Sequence, residues 1–484
     1  MIMSNLNKQI ELREPYDYQG SVIEWGRERS TIPLLIQMRL GKTLIVIRWA
    51  KEKGEDLNQR RILTVCPKSV IPVWQRELRL EGIEPFVVNS THVKDPSILP
   101  LMFFQNGWYV TNYECLTHTN ISTFVWDTVI LDESTKIRRD GTKISKKCTE
   151  DFKNVPNKAI LTGSPAPEGL LDYFNQLKFL WGKVYDCERY SSFRSKYFYP
   201  VNGRYRPHRW FKKEFADYLA EHAYILTRKQ VKMGDCKKVY EQRYCEMEEE
   251  AKKEYKEFEL TWINKDFDAT WALAAFQRLH QMSGGFPPTA EFFSSKHKLD
   301  EIQDLVESGE LSDEEGNIDS VVVFCKYTNE LKAVKRKLEE LGISCCTYSG
   351  EDSLEQRADK IDKFNQGYYK WIIVQVSTGS MGVDLSKADT AIYYSNSLSC
   401  VDRLQSEDRI INPNKKTPVL YIDLVTSDTI DCDIYQLVES KKTDNRAFLF
   451  QVYKNMQARY VTDDNFAKSS EFTENIETAT EFLQ

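Results

Sequence analysis

A chain of 484 residues is too long for one ordinary core, and domains of roughly 100 to 200 residues predict two lobes with insertions. With 41% hydrophobic and 29% charged residues the chain can bury sizeable cores, and its formal net charge of −6 excludes a protein coated in basic charge, so any nucleic-acid site has to be a local basic strip. The eleven cysteines contain no CxxC pair and the six histidines no metal-binding spacing, which predicts free thiols, no zinc, and a metal only where a nucleotide brings one.

From the N terminus, the opening residues MIMSNLNKQIELREP lack an apolar signal core, and no later run approaches the ~20 apolar residues of a membrane span, so an intracellular, cytoplasmic location is expected. The run LLIQMRLGKTLIVIRWA enters a turn ending in Gly41-Lys42-Thr43 and continues in a helical pattern, which is how a phosphate cradle reads. Backbone amides would bind phosphate oxygens, Lys42 would reach the β and γ phosphates, and Thr43 would ligate magnesium. The strict GxxxxGK[ST] form wants glycine where Ile36 stands. Strands are expected over 62–65, 108–111, 128–131 and 159–161, alternating with helical or turn-rich stretches as in a parallel sheet covered on both faces. In TVILDEST the third of these runs straight into Asp132 and Glu133, where Asp132 can hold magnesium and Glu133 can orient or deprotonate a water.

Residues 194–213, RSKYFYPVNGRYRPHRWFKK, hold basic and aromatic side chains without an acid, and Asn202-Gly203 signals a two-residue hairpin turn. Such a hairpin either stacks its rings on nucleobases or packs them on the first lobe. A helix-prone charged segment follows over about 241–281, then a surface loop at 309–319. A second strand series, 321–324, 344–348, 371–376, 391–394 and 419–424, predicts a second α/β lobe, and the residues after Tyr460 form an acidic tail.

The order of these motifs resembles the Swi/Snf-like group of superfamily-two helicase-related ATPases, in its compact bacterial or bacteriophage form, over about residues 10–440. LREPYDYQ resembles the leading segment whose glutamine, here Gln19, contacts adenine. MRLGKT is similar to MGLGKT, adding Met38, Arg39, Leu40 and Gly41 to the nucleotide cradle. VCPKSVIPVWQREL and TNYECL resemble the next two motifs, and DEST stands for the DEAH-like box. LTGSPAPE is similar to LTGTPxxN, implying that Thr162, Gly163 and Ser164 couple nucleotide state to lobe movement. In the second lobe YSGEDSLEQRADKIDKFN, VSTGSMGVDLSKADTAIYY with Gly382 and Asp384 toward the nucleotide, and QSEDRIIN with Gln405 and Arg409 continue the match.

The resemblance implies an α/β fold of two RecA-like lobes, each a mainly parallel sheet with helices on both faces, plus helical and β-hairpin insertions. Its boundaries here are an ATP-binding lobe at 1–185, an insertion at 186–294, a helicase C-terminal lobe at 295–455 and the tail at 456–484. It implies ATP with Mg2+ as cofactors and a DNA-dependent ATPase that translocates on double-stranded DNA and remodels branched DNA or protein–DNA complexes. Closure of the lobes would drive each step. The DNA would be touched, mainly at phosphates, by Lys68, Ser69, Thr111, Asn112, Lys326, Ser377 and Thr378.

Three positions depart from the pattern. Arg39 replaces a glycine, Thr135 replaces the histidine that couples the box to the LTGSP segment, and Asn412 replaces an arginine finger, leaving Arg409, or less directly Arg403, to compensate. Two alternatives stay open on these grounds, an ATP-gated DNA-binding scaffold with weak hydrolysis and a strand-separating helicase.

Overall fold

The structure is a computed structural model that describes residues 13–54, 59–88, 105–201, 204–231, 236–263, 269–287, 294–312, 318–379, 383–397, 399–411, 415, 417–440, 452 and 455–456. The chain divides into two compact units, residues 1–233 and 234–484.

Among the described residues of the first unit nine strands form, β1 (Thr31–Ile36), β2 (Arg61–Cys66), β3 (Phe86–Val88), β4 (Gly107–Asn112), β5 (Thr128–Asp132), β6 (Asn157–Thr162), β7 (Phe198–Val201), β8 (Arg204–Pro207) and β9 (Tyr224–Leu226). Seven of them make one sheet in the order β3-β4-β2-β5-β6-β1-β9. Every pairing in it is parallel. Because successive residues of a strand face opposite ways, a sheet buried on both sides needs near-continuous apolar strands. That is what TVILD and NKAILT supply, with all but the first residue of β6 buried. β7 and β8 pair antiparallel as a separate hairpin, with Tyr199 opposite Arg206 and Pro200 opposite Tyr205.

The second unit holds β10 (Lys238–Cys245), β11 (Val321–Cys325), β12 (Cys345–Tyr348), β13 (Trp371–Gln375), β14 (Thr390–Tyr393) and β15 (Val419–Thr426), in the order β10-β15-β14-β11-β13-β12. All of these pairings are parallel too. Val322, Phe324, Ile372, Val374 and Tyr393 join the core on one face. Val321, Val323, Ile373, Ile392 and Ile422 join the core on the other. A third cluster is helical, with Tyr255, Trp262, Phe276, Leu279, Ile434 and Leu437 packed together.

Two expectations need redrawing. The segment 186–294 is divided between the units, since β9 completes the first sheet and β10 the second. The helix-prone reading from Glu241 begins too early, because Glu241–Cys245 is strand, paired with β15 at an edge where polar residues can face solvent. No helix among the described residues is long and apolar enough to cross a membrane. Asn202, Gly203, Gly382, Asn412 and the acidic tail lie outside the described residues.

Candidate active site

Three neighbouring strands, β5, β6 and β1, end side by side, and each delivers one expected motif at its C-terminal end. This is where parallel α/β sheets place ligands, because helix N-termini and loops converge there.

After β1 the backbone turns twice through the left-handed region, at Arg39 (φ 68°) and at Gly41 (φ 70°), before the helix Lys42–Lys51 begins. Such alternation presents successive amides along a concave surface suited to anions. The loop is held by its carbonyls. Lys42 Nζ donates to the Ile36 carbonyl at 2.8 Å. Arg228 donates through Nε and Nη2 to the Met38 carbonyl at 3.1 and 3.0 Å. Tyr18 and Gln19 both donate to the Leu40 carbonyl at 3.3 Å. Gln19 is buried, and a Cβ at position 41 would lie 2.1 Å from its Nε2, so Gly41 is required both for its turn and for this close approach. Thr43 is half-buried at the start of the helix, and Leu40 is buried.

At the end of β5, Asp132 is buried and accepts hydrogen bonds from Trp74 Nε1 at 2.8 Å and from the Glu133 amide at 3.0 Å. Burial and the adjacent Glu133 carboxylate push Asp132 up to about 6, against the pull of the Trp74 bond and of Lys42. Glu133 itself sits in the left-handed region (φ 50°), a costly conformation for a non-glycine residue that sets its direction apart from that of Asp132. A buried carboxyl so raised is one that gains from a cation, and Thr43 with Asp132 fits the pair expected to hold nucleotide-bound magnesium.

The β6 segment ties the other two together. Gly163 packs on the loop between β1 and the helix Lys42–Lys51 so closely that a Cβ there would lie 3.0 Å from Met38 Cγ and 3.3 Å from the Met38 amide. Thr162 is buried and its Oγ1 accepts from the Ser164 amide at 3.2 Å. Gln176, fully buried on the helix Tyr173–Trp181, accepts from Ser134 Oγ at 2.6 Å and donates to the Pro165 carbonyl at 2.7 Å and the Asp172 carbonyl at 2.8 Å. It thus bridges the DEST box and the LTGSP segment, while the Thr135 carbonyl accepts from the Arg138 amide and side chain. Neither Gln176 nor Arg228 was legible as a site residue, because each acts on a segment remote in sequence and no motif surrounds it.

Among the residues expected at DNA, Lys68 is exposed and Ser69 half-buried at the start of a short 3-10 turn. Thr111 requires a correction, since it is fully buried and donates to the Val88 carbonyl at 3.0 Å, so its hydroxyl joins β4 to β3 and reaches no ligand. Asn112 is also buried, donating to Glu114 at 2.6 Å.

In the second unit, Lys326 turns its ammonium onto His280 Nδ1 at 3.1 Å, and burial lowers it to about 8, so it is not presented to a phosphate as expected. Thr378 donates to Gln375, which also accepts from the Gly350 amide. The backbone of Ser377 lies in the turn of helix Val376–Gly379. The Leu385 amide, next in the chain to Asp384, donates to the Arg409 carbonyl at 3.0 Å, and Gln405 is half-buried one turn earlier on the helix Cys400–Ile410. Arg403 on that helix is buried, its Nε on Glu407 at 2.8 Å and its Nη2 on Asp423 at 2.9 Å, which removes it as a substitute arginine finger.

The SNF2-related domain model matches residues 18–303, more than half of the chain, and the helicase conserved C-terminal domain matches residues 297–414. The chain belongs to the SNF2-related family. Among its SNF2-related relatives, a putative ATP-dependent helicase/translocase, YwqA, of Bacillus subtilis is 23% identical over 84% of this chain and 45% of that protein. The human SWI/SNF-related matrix-associated actin-dependent regulator of chromatin subfamily A member 1 is 22% identical over 84% of this chain and 40% of that protein. The DNA repair and recombination protein RDH54 of Saccharomyces cerevisiae is 22% identical over 88% and 52%. The chain therefore spans about half the length of these curated relatives. The SWI2/SNF2 ATPase core of Sulfolobus solfataricus in complex with dsDNA is similar at 21% identity and a TM-score of 0.43, covering 97% of this chain and 99% of that one.

Proposed function

We propose that the chain is a DNA-dependent ATPase that translocates on double-stranded DNA and remodels branched DNA or protein–DNA complexes. The observation that carries the reading is the convergence of a doubly left-handed, carbonyl-pinned loop bearing Lys42 with a buried Asp132 and a divergent Glu133. That arrangement suits a nucleoside triphosphate with its magnesium. The loop and Lys42 would bind phosphates, Gln19 would lie beside the base, and Thr43 and Asp132 would hold the metal, which supplies charge neutralisation on the phosphates. Glu133 orients and deprotonates the attacking water. Gln405, Arg409 and Asp384 keep the roles that the family resemblance implies, and Lys68 and Ser69 are assigned to phosphates of the duplex. The named activities of the relatives, helicase/translocase and DNA repair and recombination, support the same reading.

Steady-state ATP hydrolysis with no DNA, duplex, forks and four-way junctions tests it, using Lys42→Ala and Glu133→Gln. Lys42→Ala should weaken nucleotide binding, whereas Glu133→Gln should bind ATP and stall. Near-normal hydrolysis in both variants, or no stimulation by any DNA in the parent chain, overturns the proposal.

A further inference from the structure

Past β9 the chain stays against residues 37–41, the loop assigned above to phosphates. The Gln37 amide donates to the Leu226 carbonyl at 2.9 Å, and the Arg228 amide donates to Gln37 Oε1 at 2.8 Å. With its backbone anchored in this way, Arg228 directs two donors of its guanidinium, Nε and Nη2, onto the single carbonyl of Met38. Gly163, just past the end of β6, confines the same residue, since a Cβ added there would lie 3.3 Å from the Met38 amide nitrogen.

The turn that this fork holds is strained. Arg39, the next residue, has φ 68°, a conformation that the side chain of a non-glycine residue opposes, and such strain persists only where its surroundings fix the backbone. The Met38 carbonyl and the Arg39 amide share one planar peptide and point opposite ways. Fixing the first therefore aims the second, one of the donors that the loop can turn toward an anion. A guanidinium suits the task because its donors lie side by side in a plane, whereas a lysine ammonium is a point charge on a flexible stem. Lys42 also pins the loop, donating to the Ile36 and Gln37 carbonyls at 2.8 and 3.4 Å. Those bonds are given up when Lys42 reaches for phosphates, and Arg228 then keeps the start of the loop in place. It does so from the stretch that leads out of the first unit, which ends at residue 233.

We propose that Arg228 is a positioning residue for nucleotide binding. Its fork keeps the Met38–Arg39 peptide in the left-handed turn through which residues 37–41 accept phosphates, without touching the nucleotide itself. The inference rests on the reading that this loop binds a nucleoside triphosphate, and it extends the nucleotide site to the stretch that leads toward the second unit.

The full chain is titrated with the fluorescent, non-hydrolysable ATP analogue mant-AMPPNP and Mg2+, well below the melting range of each variant. Arg228→Gln should bind roughly tenfold more weakly than the parent, the loss expected when a charge-assisted hydrogen bond that holds the site is removed. Arg228→Lys, which keeps the charge but not the fork, should stay within about twofold of Arg228→Gln. Glycine adopts the left-handed turn without being held. Adding Arg39→Gly to Arg228→Gln should therefore recover at least about threefold, and more than Arg39→Gly gains in the parent. A fork that only stabilises the fold would show no such coupling in affinity. Parental affinity in Arg228→Gln, full recovery in Arg228→Lys, or equal effects of Arg39→Gly in both backgrounds overturns this inference and leaves the nucleotide reading intact. A parent chain that does not bind the analogue overturns both.

Discussion

Gln176→Leu tests whether a buried amide has taken over the connection that the resemblance assigns to a histidine at position 135. The replacement keeps the side-chain size but removes the acceptor for Ser134 Oγ and the donor for the Pro165 and Asp172 carbonyls, all within 2.6 to 2.8 Å. Each buried hydrogen bond contributes ~1 kcal/mol net, and a buried partner left alone costs about 1–3 kcal/mol. Allowing for relaxation of the Ser134 hydroxyl, the first unit should lose about 2–4 kcal/mol, or roughly 4 to 16 °C in melting temperature for a unit of this size. Gln176→Glu keeps the acceptor and loses the donors at neutral pH. Its carboxyl, buried against two carbonyls, would have a pKa above the unfolded value, so its deficit should be complete above that raised pKa and shrink as pH falls through it, when the protonated acid can donate again. Below the melting range, ATP hydrolysis by Gln176→Leu should keep its KM within about twofold while losing most of its stimulation by duplex DNA, because the box and the LTGSP segment no longer move together. A variant that melts early yet keeps the full stimulated kcat would reduce Gln176 to packing, and one that melts like the parent would refute the hydrogen-bond reasoning itself.

Trp74→Phe removes the indole donor that stabilises the charged form of Asp132, so the carboxyl, at about 6 in the parent, should rise by about one pH unit. Because the carboxylate is the form that holds a cation and is lost as pH falls through this pKa, the midpoint for Mg-nucleotide affinity should move up by the same amount; identical affinity profiles would remove Trp74 from the site. Arg403→Ala should destabilise the second unit by about 3–5 kcal/mol, since it leaves Asp423 buried without its cation, whereas Arg409→Ala should melt normally and abolish DNA-stimulated hydrolysis. Thermal melts and ATPase assays that reverse this order would mean that the final motif is aligned one turn out. Arg39→Gly should leave stability unchanged or raise it by up to ~1 kcal/mol and Arg39→Val should lower it, because position 39 is left-handed; chemical denaturation showing valine tolerated as well as glycine would contradict that backbone geometry.

What could be read before the structure follows from which physical signals are local. The runs VVVFC and WIIVQ are buried on both faces and so carry their strand character in composition alone. The turn into the helix at Lys42 and the end of β5 at Asp132 were equally visible, because turn chemistry and a strand's end sit in adjacent residues. By contrast, β3 and β9 have three residues each, too few to show a period, and β10 reads KVYEQRYC because an edge strand tolerates charge. Thr111 was misplaced for a related reason. A polar residue at a strand's end looks like a ligand contact, but the alternation of side chains turned this one into the sheet, where only a neighbouring carbonyl could satisfy it. Arg228 and Gln176 were invisible because the groups they hold come together only in three dimensions.

In both sheets the first strand is hydrogen-bonded to the last. β1 pairs with β9, and β10 pairs with β15 at residues about 180 apart in the chain, Lys238 opposite Val419. Such a pairing cannot form until its final strand has been made, and its long loop is costly to close, so each unit is completed late rather than assembled piecewise. During synthesis the first unit has all its strands once residue 226 has emerged. β10 then waits through roughly 10 to 40 s of elongation for its partner, with its backbone edge unsatisfied. The chain is thereby committed to folding in two instalments, and a ribosome stalled after β10 has emerged but before residue 419 is made would hold a finished first unit followed by a strand with nothing to pair with.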